Sequence, residues 1–229
     1  MIFFYVNSID GQVALLEDEE YIHCCKVLRK RVGDSISFTD GMGQSGTAII
    51  ESISKKTAQL SIQSITISET PKYNYTIAIA PPKNRARWEW FVEKSVEIGV
   101  SHIIPLKTKN SERIKINIDR SKKIMRSAAI QSLQHHHPKI SDTTTLAQLL
   151  DNIQQYDNKY IAHYKPEHNH LLNVIKQGYS HIILIGPEGD FTDDELSDAK
   201  KGGFLPVNIS NNRLRTETAG IVAMTQFIN

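Results

Sequence analysis

Polar and apolar positions alternate with a period of two in several short runs of the first 67 residues. The run Ser35-Ile36-Ser37-Phe38 shows the alternation most clearly, and this period is typical of strands with one buried face. The pattern predicts strands at residues 2–6, 12–16, 35–38, 47–53 and 57–65, with a helix at residues 18–28. These strands are too short to form separate sandwiches. Residues 1–68 are therefore predicted to form a small β domain, most simply a closed barrel.

The pattern changes after residues 68–72, which read as a linker. Strands and helices now alternate: a strand at residues 75–80, a helix at 85–98 closed by Gly99, and a strand at 101–105. Trp88, Phe91, Val92, Ser95 and Val96 share one face of that helix and are interpreted as core. Further helices are predicted at residues 120–134, 146–151 and 169–176, and a strand at 160–163. Residues 72–229 thus form an α/β domain.

Two loops near the C-terminus follow apolar strands. Residues 181–185 form a continuous apolar strand that delivers Gly186-Pro187-Glu188-Gly189, where glycine permits close approach of backbone amides to a ligand. Thr192 and Glu195 then form a capping box that opens a helix, which Gly202 and Gly203 end. A strand at residues 204–209 delivers the second loop, 210–215, before a terminal helix begins at Thr216. Both loops are expected to face one cleft, the usual ligand position in an open α/β sheet.

Composition places this chain among ordinary globular proteins. Its 229 residues are 40% hydrophobic and 23% charged, enough to bury a sizeable core. The N-terminus lacks the pattern of a signal peptide and no apolar run reaches membrane-spanning length, so a cytoplasmic protein is expected. The only cysteines, Cys24 and Cys25, are adjacent and suit a reducing compartment.

Charge is unevenly distributed although the net charge is only +2. Basic residues concentrate at 26–31, 83–87 and 107–126, whereas residues 188–198 are acidic. Segregation of this kind favours a basic face for a polyanion such as RNA, and a merely solvated surface is the alternative.

Two motifs together resemble a known family. Leu184-Ile-Gly-Pro-Glu-Gly189 followed by Asn212-Arg-Leu-Arg-Thr-Glu-Thr-Ala219 is similar to the motif pair of the RsmE-type 16S ribosomal RNA methyltransferases of the SPOUT class. Residues 23–29 with Gly33-Asp34, and the segment 94–105, resemble the same family. The resemblance implies a C-terminal α/β trefoil-knot domain that binds S-adenosylmethionine, a PUA-like RNA-binding β-barrel at the N-terminus, and a homodimer. It also implies methylation of N3 of one uridine in 16S rRNA within the small ribosomal subunit.

The resemblance assigns roles to residues of this chain. Cofactor contacts are expected from the two loops and from the end of the strand at 160–163: Ala162, His163, Leu184, Ile185, Gly186, Pro187, Glu188, Gly189, Ile209, Ser210, Asn212, Leu214 and Thr218. RNA contacts are expected from basic residues of both domains: Lys26, Arg29, Lys30, Arg31, Lys83, Arg85 and Arg87.

Catalysis of this reaction requires an orienting site, a cation for the charge that develops on uracil, and a proton acceptor. Arg29, Arg213 and Arg215 are the candidate cations, and Glu217 and Glu188 are the candidate acceptors. For both glutamates, a role at a helix N-terminus is an equally good interpretation.

Some positions depart from the family pattern. Ser210 and Asp190 stand where relatives usually have glycine, and Leu133-Gln134 replaces a Gly-Arg pair. His135, His136 and His137 are consecutive and lack metal-ligand spacing, so no metal is predicted and surface histidines near RNA phosphate are preferred.

Two other functions stay open: a SPOUT enzyme acting on another RNA, and an RNA-binding module without activity. A dinucleotide-binding enzyme is disfavoured, because no Gly-x-Gly-x-x-Gly follows the strand that ends at Ala80.

Overall fold

The computed structural model describes residues 2–112, 115–176 and 178–228. The chain divides into two compact units. The first comprises residues up to Pro71 together with Ala129–His137, and the second comprises Lys72–Ala128 and the residues from Pro138 onward. Within the described residues, no helix is long and apolar enough to cross a membrane.

The first unit is built on a six-stranded sheet. Its strands are β1 (Phe3–Tyr5), β2 (Ile9–Asp10), β3 (Val13–Leu16), β4 (Ser35–Thr39), β5 (Gln44–Ile53) and β6 (Ala58–Ile67). Their spatial order is β1-β4-β5-β6-β3-β2, with β1 parallel to β4 and the other pairs antiparallel. Five of these strands lie where the alternation predicts them, because one side chain in two is buried in the core of this unit, as Ile36 and Phe38 are on β4.

The predicted helix at residues 18–28 has two parts. A short α-helix, α1 (Asp18–Tyr21), continues as a π-helical segment, Ile22–Val27. Leu28 ends the helix, and Arg29 follows in a left-handed conformation with φ +55°. Sequence periodicity does not separate a π-helix from an α-helix over so few residues.

The segment Ala129–His137 packs within the first unit. The Gly43 amide donates to the His135 carbonyl and the His137 amide donates to the Gly41 carbonyl, each at 2.8 Å. The rings of His135 and His137 pack against Phe3 and Tyr5, at centroid distances of 5.6 and 5.4 Å. These half-buried histidines therefore support the β domain from a distant part of the sequence, and their proximity to RNA phosphate stays a prediction.

The second unit has a parallel sheet flanked by helices. The strands are β7 (Asn74–Ile79), β8 (His102–Lys107), β9 (Lys139–Ile140), β10 (Thr144–Thr145), β11 (Asn158–Ala162), β12 (Ser180–Ile185) and β13 (Leu205–Val207). The order is β10-β8-β7-β12-β11-β13, and β9 also pairs with β8. The helices are α2 (Arg85–Ile98), α3 (Ile118–Gln131), α4 (Leu146–Leu150), α5 (Leu171–Val174), α6 (Asp193–Lys201) and α7 (Thr216–Ile228).

Helix α2 confirms the sequence prediction residue by residue. Asn84 caps its N-terminus, accepting from the amides of Ala86 and Arg87, and Gly99 ends it with φ +104°. The five residues assigned to one face of this helix are its buried residues. The predicted capping box of α6 is also present.

Other elements are shorter than predicted. Helix α5 covers four residues and β13 covers three, against predictions of residues 169–176 and 204–209. Asn208 lies just after β13 and its side chain bonds the backbone of Lys165 and His168. The Asn208 backbone pairs with residues 169–171 instead of with β11: its amide donates to the Asn169 carbonyl and its carbonyl accepts from the Leu171 amide, so the chain leaves the sheet early.

Candidate active site

The carboxyl ends of three parallel strands meet at one edge of the second unit's sheet. Ala162 of β11 is in register with Ile185 of β12 and with Val207 of β13. A cavity of about 810 Å³ opens at this edge, a size typical of small-molecule sites. It is lined by residues that follow the three strands and begin α7: Ala162, His163, Tyr164, Ile185, Gly186, Pro187, Glu188, Asp190, Val207, Ile209, Ser210, Asn211, Asn212, Arg213, Leu214, Arg215, Thr216 and Ala219.

The loop after β12 is held from both sides. The Asp190 amide donates to the Pro187 carbonyl at 2.9 Å, which closes a tight turn, and Thr216 Oγ1 donates to the Gly186 carbonyl at 3.2 Å. On the other side, Asn110 Nδ2 donates to the carbonyls of Gly189 and Asp190. A Cβ on Gly186 would lie 3.0 Å from the Phe191 ring, so a side chain there would require that ring to shift by a few tenths of an ångström.

The loop after β13 is tied to the first loop and to α7. Arg213 Nη2 donates to the Glu188 carbonyl at 3.4 Å, and Gln226 Nε2 of α7 donates to the Ile209 carbonyl at 2.9 Å. Ser210 Oγ accepts from the Asn212 amide at 3.1 Å. Ser210 is thus used within the loop, although glycine is usual there in the family it resembles.

The side chains of His163 and Asp190 contact each other just after the carboxyl end of β11. His163 Nδ1 lies 3.1 Å from Asp190 Oδ2, and the other ring nitrogen, Nε2, is buried without a hydrogen-bond partner among the described residues. Asp190 holds its position with φ +61°, a left-handed conformation that is uncommon outside glycine. Its other oxygen, Oδ1, accepts from the Phe191 amide at 2.7 Å.

The candidate catalytic residues are found in three places. Arg213 and Arg215 line the cavity. Glu217 is buried in the first turn of α7, where Oε1 lies 3.5 Å from Arg87 Nε and Oε2 has no partner among the described residues; it does not line the cavity. Arg29 belongs to the first unit.

The basic residues predicted to bind RNA in the second unit each have an acidic partner. Lys83 lies 2.9 Å from Glu112, and this pairing raises the pKa of the lysine. Arg85 lies 2.6 Å from Glu89. Hydrogen bonds from Arg120 and then Arg85 hold the pKa of Glu89 at about 2, far below its usual range. RNA phosphate would have to compete with these carboxylates.

Most, but not all, of the predicted cofactor residues line the cavity. Leu184 is buried in the body of β12, and Gly189 and Thr218 lie outside the lining. Tyr164, Asp190, Val207, Asn211, Thr216 and Ala219 line it without having been predicted for cofactor contact. Each is adjacent in sequence or in strand register to a predicted residue, and register is the signal that would have found Val207.

The α/β domain and the small β unit each match a domain family of one class of RNA-modifying enzyme, the RNA methyltransferases. The sequence matches the RNA methyltransferase domain family over residues 68–228 and the RNA methyltransferase PUA domain family over residues 16–63.

Relatives narrow the class. The chain is 33% identical over 173 residues to ribosomal RNA small subunit methyltransferase E of Mesomycoplasma hyopneumoniae, covering 73% of this chain and 74% of that protein. It is 31% identical to the enzyme of the same name in Buchnera aphidicola, covering 94% and 87%. The chain therefore belongs to the ribosomal RNA small subunit methyltransferase E family.

Solved structures of related methyltransferases have the same fold as this chain. A probable rRNA methyltransferase from Porphyromonas gingivalis superposes with a TM-score of 0.92 at 35% identity, covering 99% of this chain and 97% of that one. The small subunit methyltransferase E of Neisseria gonorrhoeae, determined with bound S-adenosyl methionine, superposes with a TM-score of 0.85 at 27% identity, covering 98% and 95%. The mixed α/β fold with an N-terminal PUA-like domain is thus confirmed.

Proposed function

We propose that this protein transfers the methyl group of S-adenosylmethionine to N3 of one uridine in 16S rRNA. The main support is the cavity at the carboxyl ends of β11, β12 and β13, which end in register with one another. Two loops line this cavity, and their motifs resemble those of the uridine N3 methyltransferases. Family membership supports the small-subunit rRNA as substrate.

The cavity suits the cofactor chemically. Ile185, Val207, Ile209 and Leu214 offer apolar surface for an adenine ring, while the turn at Gly186–Asp190 offers backbone groups for polar atoms. His163 Nε2 is a buried polar atom with no hydrogen-bond partner among the described residues. Bound there, the cofactor would supply a methyl group already activated on a sulfonium.

The protein then has to orient uracil and manage its charge. As the N3 proton leaves, negative charge spreads to the two carbonyl oxygens, and a fixed cation stabilises it. Arg213 and Arg215 line the cavity, and both guanidinium groups stay charged at all physiological pH values. We assign charge stabilisation to these two arginines and substrate binding to Arg29. The buried Glu217 orients Arg87 and supports α7 in this proposal.

The first unit binds RNA in this proposal. Lys26, Arg29, Lys30 and Arg31 follow one another along the π-helical segment and the turn after it, interleaved with the exposed apolar side chains of Val27, Leu28 and Val32. Lysine and arginine contact phosphate and the apolar groups pack on sugar or base, so binding should weaken steeply with salt. Lys83, Arg85 and Arg87 add contacts from the second unit.

Three further features complete the proposal. The C-terminal chain threads a trefoil knot, in agreement with β13 lying outside β11 while α7 packs back on β7 and α2. Two copies form a homodimer through α7, on which none of residues 216–227 is fully exposed although several are only half-buried. The site of action is the cytoplasm, where small ribosomal subunits are found.

Product mapping tests the proposal. Small subunits purified from a strain lacking the enzyme are incubated with the protein and cofactor carrying a tritiated methyl group, and the nucleosides are then separated. Label in N3-methyluridine of 16S rRNA is expected. Label on a ribose 2′-hydroxyl or on another base would refute the assignment to N3, while absence of transfer to any RNA would indicate a binding module.

A further inference from the structure

We propose that His163 is the proton acceptor for uridine N3 and that Asp190 is the residue that positions it. This inference deepens the proposed function and rests on it, since it concerns the proton that N3 must lose. It starts from the buried ring nitrogen of His163 that has no partner among the described residues.

The backbone and ring of His163 are both held in place. Its amide donates to the Val207 carbonyl at 3.1 Å, and its carbonyl accepts from His168 Nδ1 at 2.8 Å. Its ring nitrogen Nδ1 lies 3.1 Å from Asp190 Oδ2, and only 11% of the side chain is exposed. The imidazole therefore has one orientation before any ligand arrives.

The Asp190 carboxylate decides which nitrogen carries the proton. An ionised carboxylate only accepts hydrogen bonds, so Nδ1 must be the donor. Neutral His163 then keeps the lone pair of its buried Nε2 free of the protein groups described, on a residue that lines the cavity. A base oriented by a second group through its other nitrogen is the arrangement that general-base catalysis uses.

Other titratable groups that line the cavity fit this task less well. Arg213 and Arg215 cannot accept a proton, and Tyr164 is 59% exposed. Glu188 is exposed, and it is the competing acceptor. Beyond the lining, the ring of His168 lies 5.6 Å from that of His163, with its Nδ1 committed to the His163 carbonyl.

The step balances in atoms and charge. Nε2 takes the N3 proton, and N3 keeps the electron pair of the N–H bond and forms a bond to the methyl carbon. The electron pair of the S–C bond stays on sulfur, which becomes a neutral thioether. Asp190 stabilises the imidazolium, which afterwards releases its proton to water.

The test is single-turnover methyl transfer to purified small subunits at saturating cofactor, from about pH 6 to about pH 8.5, the range in which histidine ordinarily changes charge. With the unmodified protein, the rate should rise with pH along an acid limb. H163Q should lower the rate at neutral pH by about 100-fold and abolish that limb, because general-base catalysis contributes about 10²–10⁴-fold. Its cofactor affinity is measured by calorimetry at the same time, because His163 is also a predicted cofactor contact, and the rates are therefore compared at saturating cofactor.

Two matched variants sharpen the result. H170Q changes a nearby histidine that does not line the cavity and only caps α5, so it should keep the acid limb. E188Q changes the competing carboxylate and should also keep it. Loss of the limb in E188Q, or its survival in H163Q, would overturn the proposal.

Asp190 is tested without turnover. Nitrogen NMR of the cofactor-free protein should show neutral His163 protonated at Nδ1, and D190N should disturb that tautomer, which D190E should restore. Protonation at Nε2 in the unmodified protein would overturn the proposal. A normal single-turnover rate in H163Q with weakened cofactor binding would make His163 a cofactor ligand instead. If the unmodified protein forms no N3-methyluridine at all, it is the proposed function that fails.

Discussion

Gly220 lies where α7 comes closest to the sheet, and it has no room for a side chain. A Cβ there would be 2.6 Å from Phe91 Cε2 and 3.0 Å from Ile79 Cδ1. Both neighbours are fully buried, so neither can move aside cheaply. The cavity-lining residues Thr216 and Ala219 are on the first turns of the same helix, so the packing at this glycine also positions the site.

Gly220→Ala should therefore destabilise the protein. Alanine favours a helix over glycine by about 1 kcal/mol, but overpacking a core costs about 1–3 kcal/mol, and the second effect should win by about 1 kcal/mol. Urea unfolding measures the difference. The double variant G220A/F91L, which removes the ring edge, should recover part of the loss. Full stability of G220A alone would contradict the packing argument.

At the scale of elements, a buried hydrogen bond and an ionic cluster join helices α2 and α3. Trp88 Nε1 donates to Ser121 Oγ at 3.0 Å. Arg120 Nη2 of α3 donates to Glu89 Oε2 of α2 at 2.8 Å, while Arg85 of α2 holds the other oxygen. Since the pKa of Glu89 falls from the usual 4.5 to about 2, this cluster stabilises the folded state only while the carboxylate is ionised.

Glu89→Gln should lower the free energy of unfolding by about 1 kcal/mol at neutral pH, a figure reduced because both arginines are half exposed. The contribution is complete above about pH 4.5 and is lost as pH falls towards 2, so the two proteins should converge in acid. Tryptophan fluorescence during urea unfolding reports on this region, because Trp88 and Trp90 are both on α2. Glu93→Gln, which removes an exposed pair with Lys94 alone, is the control and should have a smaller effect. A difference that persists unchanged at pH 3 would contradict this account.

At the scale of the whole molecule, the candidate RNA residues at positions 26–31 and the cavity belong to different units. Arg29 is in the first, whereas each residue that lines the cavity is in the second. Substrate binding and cofactor binding should therefore be separable by mutation.

Arg29→Asn should lower affinity for small subunits by about tenfold, while cofactor affinity stays unchanged. The slope of the logarithm of the binding constant against the logarithm of salt concentration should fall by the amount expected for about one phosphate contact. Asparagine is chosen because it tolerates the positive φ of this position better than alanine does. Filter binding across a salt series, with calorimetry for the cofactor, makes the comparison. Lys56→Ala, in the turn between β5 and β6, is the control. Equal losses of both affinities would show that Arg29 acts on the fold.

The homodimer is tested by sedimentation. Residues 216–227 of α7 are at least half-buried in a single copy, and the remaining partly exposed side chains are what a second copy would cover. A dimer mass at micromolar concentration is expected. A monomer at that concentration would rule out the dimer.

Structural features that depend on residues close together in the sequence could be predicted from the sequence alone. Capping at Thr192, the end of α2 at Gly99 and the buried face of α2 depend on groups within a few positions of each other, so they were predictable. The positions of the two loops that line the cavity were predictable for a related reason, since each follows a short apolar run that can be read without knowing its neighbours.

Contacts between distant positions were decided only by the tertiary structure. No local pattern indicates that Ala129–His137 packs in the β unit, that Asp190 orients His163 across 27 positions, or that Glu217 pairs with Arg87 across 130. Each contact depends on which strands become neighbours, and parallel pairing is set by crossover connections far longer than any sequence period. Whether a lysine or arginine is free for RNA or already paired with a carboxylate is decided in the same way, because a charge has no preferred partner until the fold brings one within reach.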